Sequence, residues 1–388
     1  MLTAKTGNSI QADPASAAKE AAASFKEIAA NLKMAFVYSG VQYNQNALLG
    51  ALAAELPGIP FIGNTSFTGV ITNDGFISGE SGFLGILGLA DPDLTVGISC
   101  LNKSGTARET GRDAAQKALI SAGRTDAPDY FYMVAPPGEE EFYLKGIEDV
   151  VGRVPFFGGS AADNAIAGEW VLYTDQLITS DGIAVAFFYS KKPFANQYTG
   201  AYAETKKAGI ITKVSNNRTL AEIDGIPAVK KYQQWTGASD EEVSGGNLLV
   251  YSITKPLGVK DRLGDLIAIR HPMNGNDDGT IAVGNNLAEN TAIILMEGSV
   301  DGLISSTCET LSDLKVKIDA PVGAYHLVHC GGRRAGIGDR IEEVAELLKK
   351  EAGDVPFMTE FTFGEYGYED DNNNTCGGLM LSFTAFGK

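Results

Sequence analysis

The chain predicts an α/β fold with mixed sheets, built from internally repeated β-α-β-α-β units in two halves. Three observations carry this. A buried strand followed by a helix recurs three times. Each copy then gives a Pro-led apolar strand that breaks at a Gly-rich polar turn, and each turn is followed by further apolar strands. The first copy reads MAFVYSG at 34–40 and IPFIGNTSFTG at 59–69. The second reads DYFYMVAPPG at 129–138 and VPFFGGSAADN at 154–164, and the third AYHLVHCGGR at 324–333 and VPFMTEFTFGE at 355–365. The turns fall at equivalent strand ends, which is where α/β proteins build sites.

Each unit extends in both directions. LTAKTGNSI leads into a helix from Pro14 to about Leu32, LTVGISCLN at 94–102 into one from about Thr106 to Ala122, and TAIILMEGS at 291–299 into one near 302–315. After the turns come GFLGILGLA at 82–90, GIAVAFFYS at 182–190 and GGLMLSFTAF at 377–386, whose Val, Ile, Leu and Phe content suits strands covered by helices. At 339–351, Ile341, Val344, Ala345, Leu347 and Leu348 form the apolar stripe of an amphipathic helix. Between the second and third copies, GIITKVSNNRTLAEIDGIPAVKKYQQWTG reads as two strands and a helix starting near Pro227. Further strands are expected around 247–254, 264–271 and 280–284, with NGNDDG at 274–279 as a tight turn. The division into halves is drawn as 1–195 and 196–388.

At 388 residues the chain has room for two or three cores. Apolar residues make up 44% and mean hydropathy is −0.03, as in an ordinary soluble protein. A net charge of −17 argues against nucleic acid and against an anionic membrane surface as partners. No run approaches the ~20 apolar residues of a membrane span, and residues 15–32 read as a surface helix, not a signal peptide. Cys100, Cys308, Cys330 and Cys376 are scattered without a CxxC pair, so no metal site is expected and a reducing cytoplasm is the simplest location.

The polar turns supply the candidate site. Asn64, Thr65 and Ser66 follow the first Pro-led strand, and Ser160, Asp163 and Asn164 follow the second. Hydroxyls and amides at a strand end read a carboxylate or an ammonium by hydrogen bonds, and equally they cap turns. Cys330, Arg333 and Arg334 follow the third copy's first strand, and the Arg fork matches a carboxylate or phosphate. Glu365 closes the third turn, and a sheltered acid there needs a positive partner, for which Arg333 is the candidate. No catalytic residue is assigned. His329 and Cys330 point to opposite faces of a strand, and His326 lies about 13 Å from Cys330 along it. An enzyme using Cys330 or Glu365 in the same cleft remains the alternative.

These segments, in this order, resemble the FIST family, named from F-box and intracellular signal transduction proteins. IGNTSFTG at 62–69, GGSAADN at 158–164 and GIAVAFF are similar to its N-terminal half. TLAEIDGIPAVKKY at 219–232, CGGRRAGIGDR at 330–340 and FTFGEYG at 361–367 are similar to its C-terminal half. The resemblance implies a small-molecule sensory module of bacterial signalling, with amino acids or similar metabolites as ligands. The sequence departs from that signalling architecture in carrying no kinase, cyclase or methyl-accepting segment, so output is expected through a separate signalling protein. It favours Arg333 over Arg334. Some similar proteins bind haem and sense nitric oxide, which makes a gas sensor a further alternative, although no cofactor is expected from the residues.

Overall fold

Residues 1–260, 267–368 and 374–388 are described by a computed structural model. The three copies fold into the same unit, with five strand roles. Edge strands are Thr3–Ser9, Thr95–Asn102 and Phe194–Gly200; central strands are Leu32–Ser39, Tyr130–Ala135 and Val322–Cys330. Crossing strands are Phe61–Thr65, Phe156–Ser160 and Phe357–Thr362, each parallel to its central strand. A small antiparallel pair of strands follows each crossing strand: 70–72 with 75–77, 172–174 with 178–179, and 365–368 with 374–377. Return strands Leu84–Ala90, Gly182–Tyr189 and Met380–Gly387 then run back antiparallel between edge and central strands. Each sheet is therefore mixed.

The hairpins do not stay at home. The first repeat's hairpin pairs with the third repeat's crossing strand, the second's with the first, and the third's with the second. Each of the three sheets is six-stranded because it borrows two strands from the next repeat. The exchange is cyclic, and it closes the three units into a ring.

Burial follows from strand alternation. One face of each sheet contributes to a shared interior that includes Phe36, Tyr132, Phe157, Phe188 and Phe386. The other face is covered by that repeat's helices. Pro14–Ala22 and Gln45–Glu55 cover the first sheet, Ala107–Ala122 and Glu140–Val151 the second, and Val300–Ile318 with Ile341–Ala352 the third. Local chemistry fixes the helix starts. Thr106 and Glu109 form a reciprocal capping box, Asn44 accepts from the Ala47 N–H, and Ser299 from the Gly302 N–H. Each such cap stabilises its helix by about 1 kcal/mol. The first helix stops at Ala22 instead of about Leu32, giving way to short 3-10 turns before the central strand.

Two further elements differ from the sequence reading. The third repeat's edge strand is Phe194–Gly200, not 291–299, because it supplies the pairing partner for the return strand Met380–Gly387. Residues 292–297 pair instead with 203–210 and 257–259 inside an inserted unit, which interrupts the third repeat between its edge strand and its first helix. Within that insert, Asn247–Tyr251 is a short helix where a strand was expected, and Leu257–Lys260 is the strand. A short apolar run does not discriminate the two states by periodicity. Part of the strand expected at 264–271, residues 264–266, lies outside the described residues; Ile267–Arg270 is a strand. The tight turn at 274–279 joins the antiparallel strands Pro272–Gly275 and Ile281–Val283. The division drawn at 195/196 falls inside the third edge strand.

Candidate functional site

The three polar turns converge. Register places Thr65, Ser160 and Phe361 at equivalent positions, and likewise Phe67, Ala162 and Phe363. Around the ring, Phe67 N–H donates to Phe361 O at 2.9 Å, Ala162 N–H to Thr65 O at 2.9 Å, and Phe363 N–H to Ser160 O at 3.1 Å. One turn from each repeat thus supports the next.

Most of the candidate residues serve this ring. Asn64 is fully buried and donates to Glu360 Oε2 at 3.0 Å. The Thr65 hydroxyl accepts from Val171 N–H at 3.0 Å, and Ser66 Oγ donates to Gly69 O at 2.7 Å while accepting from Phe361 N–H at 2.9 Å. Ser160 Oγ lies 2.7 Å from the Tyr366 hydroxyl. Asp163 accepts from the N–H groups of Ala165, Ala167 and Glu169 at 2.9–3.1 Å, winding loop 163–169 around one carboxylate. Asn164 accepts from Thr68 N–H at 2.9 Å.

Behind the ring lies a closed polar network. The Tyr132 hydroxyl lies 3.2 Å from both Glu360 Oε1 and Asn64 Oδ1, and the Tyr38 hydroxyl bridges Tyr132 and His326 Nε2. Burial pushes Glu360 up to about 7 and His326 down to about 3. Their 3.7 Å approach is therefore a neutral contact at mildly acidic pH, not an ion pair.

The expected Arg333–Glu365 pair does not form. Arg333, fully buried, turns toward helix 300–318 and donates from Nη2 to Leu303 O at 2.9 Å and Ser306 Oγ at 2.7 Å. Glu365 accepts from Thr362 Oγ1 at 3.0 Å and Met380 N–H at 2.9 Å, and burial pushes it up to about 8. A carboxyl that holds its proton no longer needs a cation, which removes the reason for the pair.

Above the ring, a cavity of about 270 Å³ opens between the repeats and the insert. Phe67, Ile166, Trp170 and Phe363 form the ring side; Leu249, His271, Met273, Asn285 and Arg218 come from the insert; Cys330, Gly332 and Leu379 lie between them. Of the sequence candidates, Cys330 lines it. Its Sγ accepts from Gly332 N–H at 3.2 Å and Leu379 N–H at 3.3 Å, while burial raises its thiol pKa strongly, so it is held as a neutral thiol. Leu379 presents that N–H from a left-handed backbone (φ 56°), and Ile166 is also left-handed (φ 56°). Such strain in non-Gly residues clusters at functional sites.

Arg218 closes the cavity's edge. Its Nη2 pairs with Glu140 at 2.9 Å and with Glu141, its Nη1 donates to Gly284 O at 2.6 Å, and its Nε donates to Asn286 Oδ1 at 3.1 Å. Burial and the neighbouring Glu141 push Glu140 up to about 7 against the pull of Arg218. The insert is thereby latched to the start of helix 140–151. Trp170, Arg218, Asn285 and the cavity role of His271 were not singled out from sequence. Phe67 and Phe363 carried a legible signal, since both are aromatic at the same position of the repeat.

The sequence model described as the FIST N domain matches residues 33–226, and that described as the FIST C domain matches residues 228–368. No curated protein matches the chain in sequence. Among solved structures, a cyanuric acid hydrolase from A. caulinodans is 11% identical, with 100% of both chains covered and a TM-score of 0.40. A cyanuric acid hydrolase described as evolutionary innovation by structural concatenation is 9% identical over 100% of both chains, with a TM-score of 0.33. PurLQS from Thermotoga maritima is 10% identical, covering 99% of this chain and 72% of that one, with a TM-score of 0.24.

Proposed function

The chain belongs to the FIST family, whose domains are associated with signal-transduction sensing, and from that premise we propose that it binds a small metabolite in the cavity above the turn ring. The ligand class is an amino acid or a small carboxylate. One observation carries this reading: the cavity is walled by both family halves at once. Phe67 and Trp170 lie in the segment matched by the N domain, and His271, Asn285 and Cys330 in that matched by the C domain. A ligand bridging the two touches the ring and the insert at once, so binding favours whichever placement of the insert makes both sets of contacts. The volume suits a compact ligand with an apolar body.

Among the described residues, no helix is long and apolar enough to cross a membrane. Output passes to a separate signalling protein. The neutral, hydrogen-bonded state of Cys330 weighs against its use as a nucleophile.

A thermal-shift screen of amino acids and small carboxylates tests the proposal. A true ligand at 100 times its Kd adds about 2.7 kcal/mol of stability. The shift should vanish in Trp170→Ala without product formation in the wild type. Turnover lost in Cys330→Ser would replace the sensor with an enzyme.

A further inference from the structure

Resting on the reading of this cavity as the ligand site, we infer that it recognises an organic ammonium group, held between an aromatic wall and two uncharged acceptors. The wall takes one ring from each repeat: Phe67, Trp170 and Phe363. The Phe67 and Phe363 centroids lie 5.8 Å apart, and Trp170 meets Phe363 edge-on at 6.1 Å with planes at 89°. Aromatic faces gathered in this way attract cations, and more strongly when water is displaced.

The acceptors stand on the insert. His271 Nε2 lies 3.0 Å from Leu249 O. A carbonyl only accepts, so Nε2 carries the proton and Nδ1 presents a lone pair, with no partner among the described residues. Burial lowers His271 to about 4, so the ring is a neutral acceptor at physiological pH and not a competing cation. Asn285 is 1% exposed and directs Nδ2 toward Glu140 Oε1 at 3.5 Å, which leaves Oδ1 without a partner among the described residues.

Glycines open the space beside both groups. A Cβ on Gly378 would lie 3.5 Å from Asn285 Oδ1 and 3.6 Å from the His271 Cβ; one on Gly332 would lie 3.5 Å from His271 Cε1. The charged donor on the lining is already committed, because Arg218 spends its guanidinium on Glu140, Glu141, Asn286 and Gly284. A neutral donor such as the Trp170 indole N–H does not neutralise a carboxylate. The polar pole of the cavity thus suits a donor of positive charge, and Glu140 behind Asn285 adds negative potential when ionised.

Matched ligand sets separate the possibilities. Isothermal titration of the full chain would compare 2-phenylethylamine, phenylalanine and 3-phenylpropanoate, then isoamylamine, leucine and 4-methylpentanoate. The amine and the amino acid should bind, with the acid at least about tenfold weaker. Asn285→Leu should weaken amine binding about tenfold or more. Gly378→Ala should do the same; its added methyl makes ordinary contacts at 3.5 Å or beyond, so the fold is retained while the space beside the acceptors is filled. Acid binding equal to or tighter than amine binding overturns the ammonium assignment and leaves the cavity as a ligand site. Silence from every compound in both sets overturns the assignment and the ligand-site reading together. Amine binding unchanged in Gly378→Ala overturns the placement of the ammonium.

Discussion

Asp163 and Glu365 are both buried acids at turn positions, and their partners give them opposite tasks. Asp163 gathers the backbone donors of loop 163–169, so its carboxylate is structural. Asp163→Ala removes the hydrogen bonds that a buried carboxylate makes to an exposed loop and should lower stability by about 2 kcal/mol, measured as a fall in urea midpoint at unchanged m-value. Glu365 instead keeps its proton, with its folded-state value raised to about 8 by burial. Here the native state binds a proton that the unfolded state has released above about 4.5. Stability is therefore full at acid pH and declines as pH rises toward 8. In Glu365→Gln that decline should become shallower by up to about 1.4 kcal/mol per pH unit between pH 5 and 8, read from denaturation midpoints across the range. An unchanged slope would show that Glu365 is ionised when folded.

The insert is the element that the sequence under-described. Its strands pair mainly among themselves, so no repeat pattern announces them. The segment at 291–299 looked like an edge strand because it is apolar and precedes a helix. The true edge strand, Phe194–Gly200, is separated from that helix by the whole insert. What holds the insert to the ring at the cavity edge is the Arg218 latch on Glu140 and Glu141, reinforced by Asn286 N–H donating to Glu141 Oε1 at 2.9 Å. Arg218→Ala should loosen this contact without unfolding the ring. Hydrogen exchange would then rise in residues 216–223 and 281–286, while the central strands 32–39 and 130–135 keep their protection. Uniform loss of protection would mean that the latch is part of the global fold.

Across the whole molecule, cyclic hairpin exchange makes each repeat depend on the next. The first hairpin lies on the third crossing strand, and the second crossing strand carries the third hairpin. Cutting the chain after residue 190 therefore strips partners from both pieces. Expressed alone, 1–190 should be aggregated or partly folded, because unpaired strand edges and the shared interior are exposed. Co-expressed with 191–388, it should copurify as a complex with the circular dichroism of the intact chain. A monomeric, cooperatively folding 1–190 fragment would sink this account.

Length, strand composition and the threefold recurrence of Pro-led strand and polar turn were enough to give the α/β class and the repeated unit, and the resemblance of the turn segments pointed to the family. These rest on local patterns: alternation, turn chemistry and helix periodicity are written within a few residues of one another. The chemistry of the site was not written that way. Asn64, Ser66 and Asp163 carry side chains equally suited to a ligand or to a turn, and the groups folding places beside them decide for the turn: Glu360 and Tyr132 for Asn64, the Phe361 N–H for Ser66, and the N–H groups of loop 163–169 for Asp163. Arg333 and Glu365 looked like partners by charge, yet burial protonates the acid and helix 300–318 captures the guanidinium. His271, Asn285 and Trp170 come together because the insert closes over the ring, an association between residues more than a hundred positions apart. Only tertiary structure sets such contacts, since they depend on which surfaces meet and not on any neighbour along the chain.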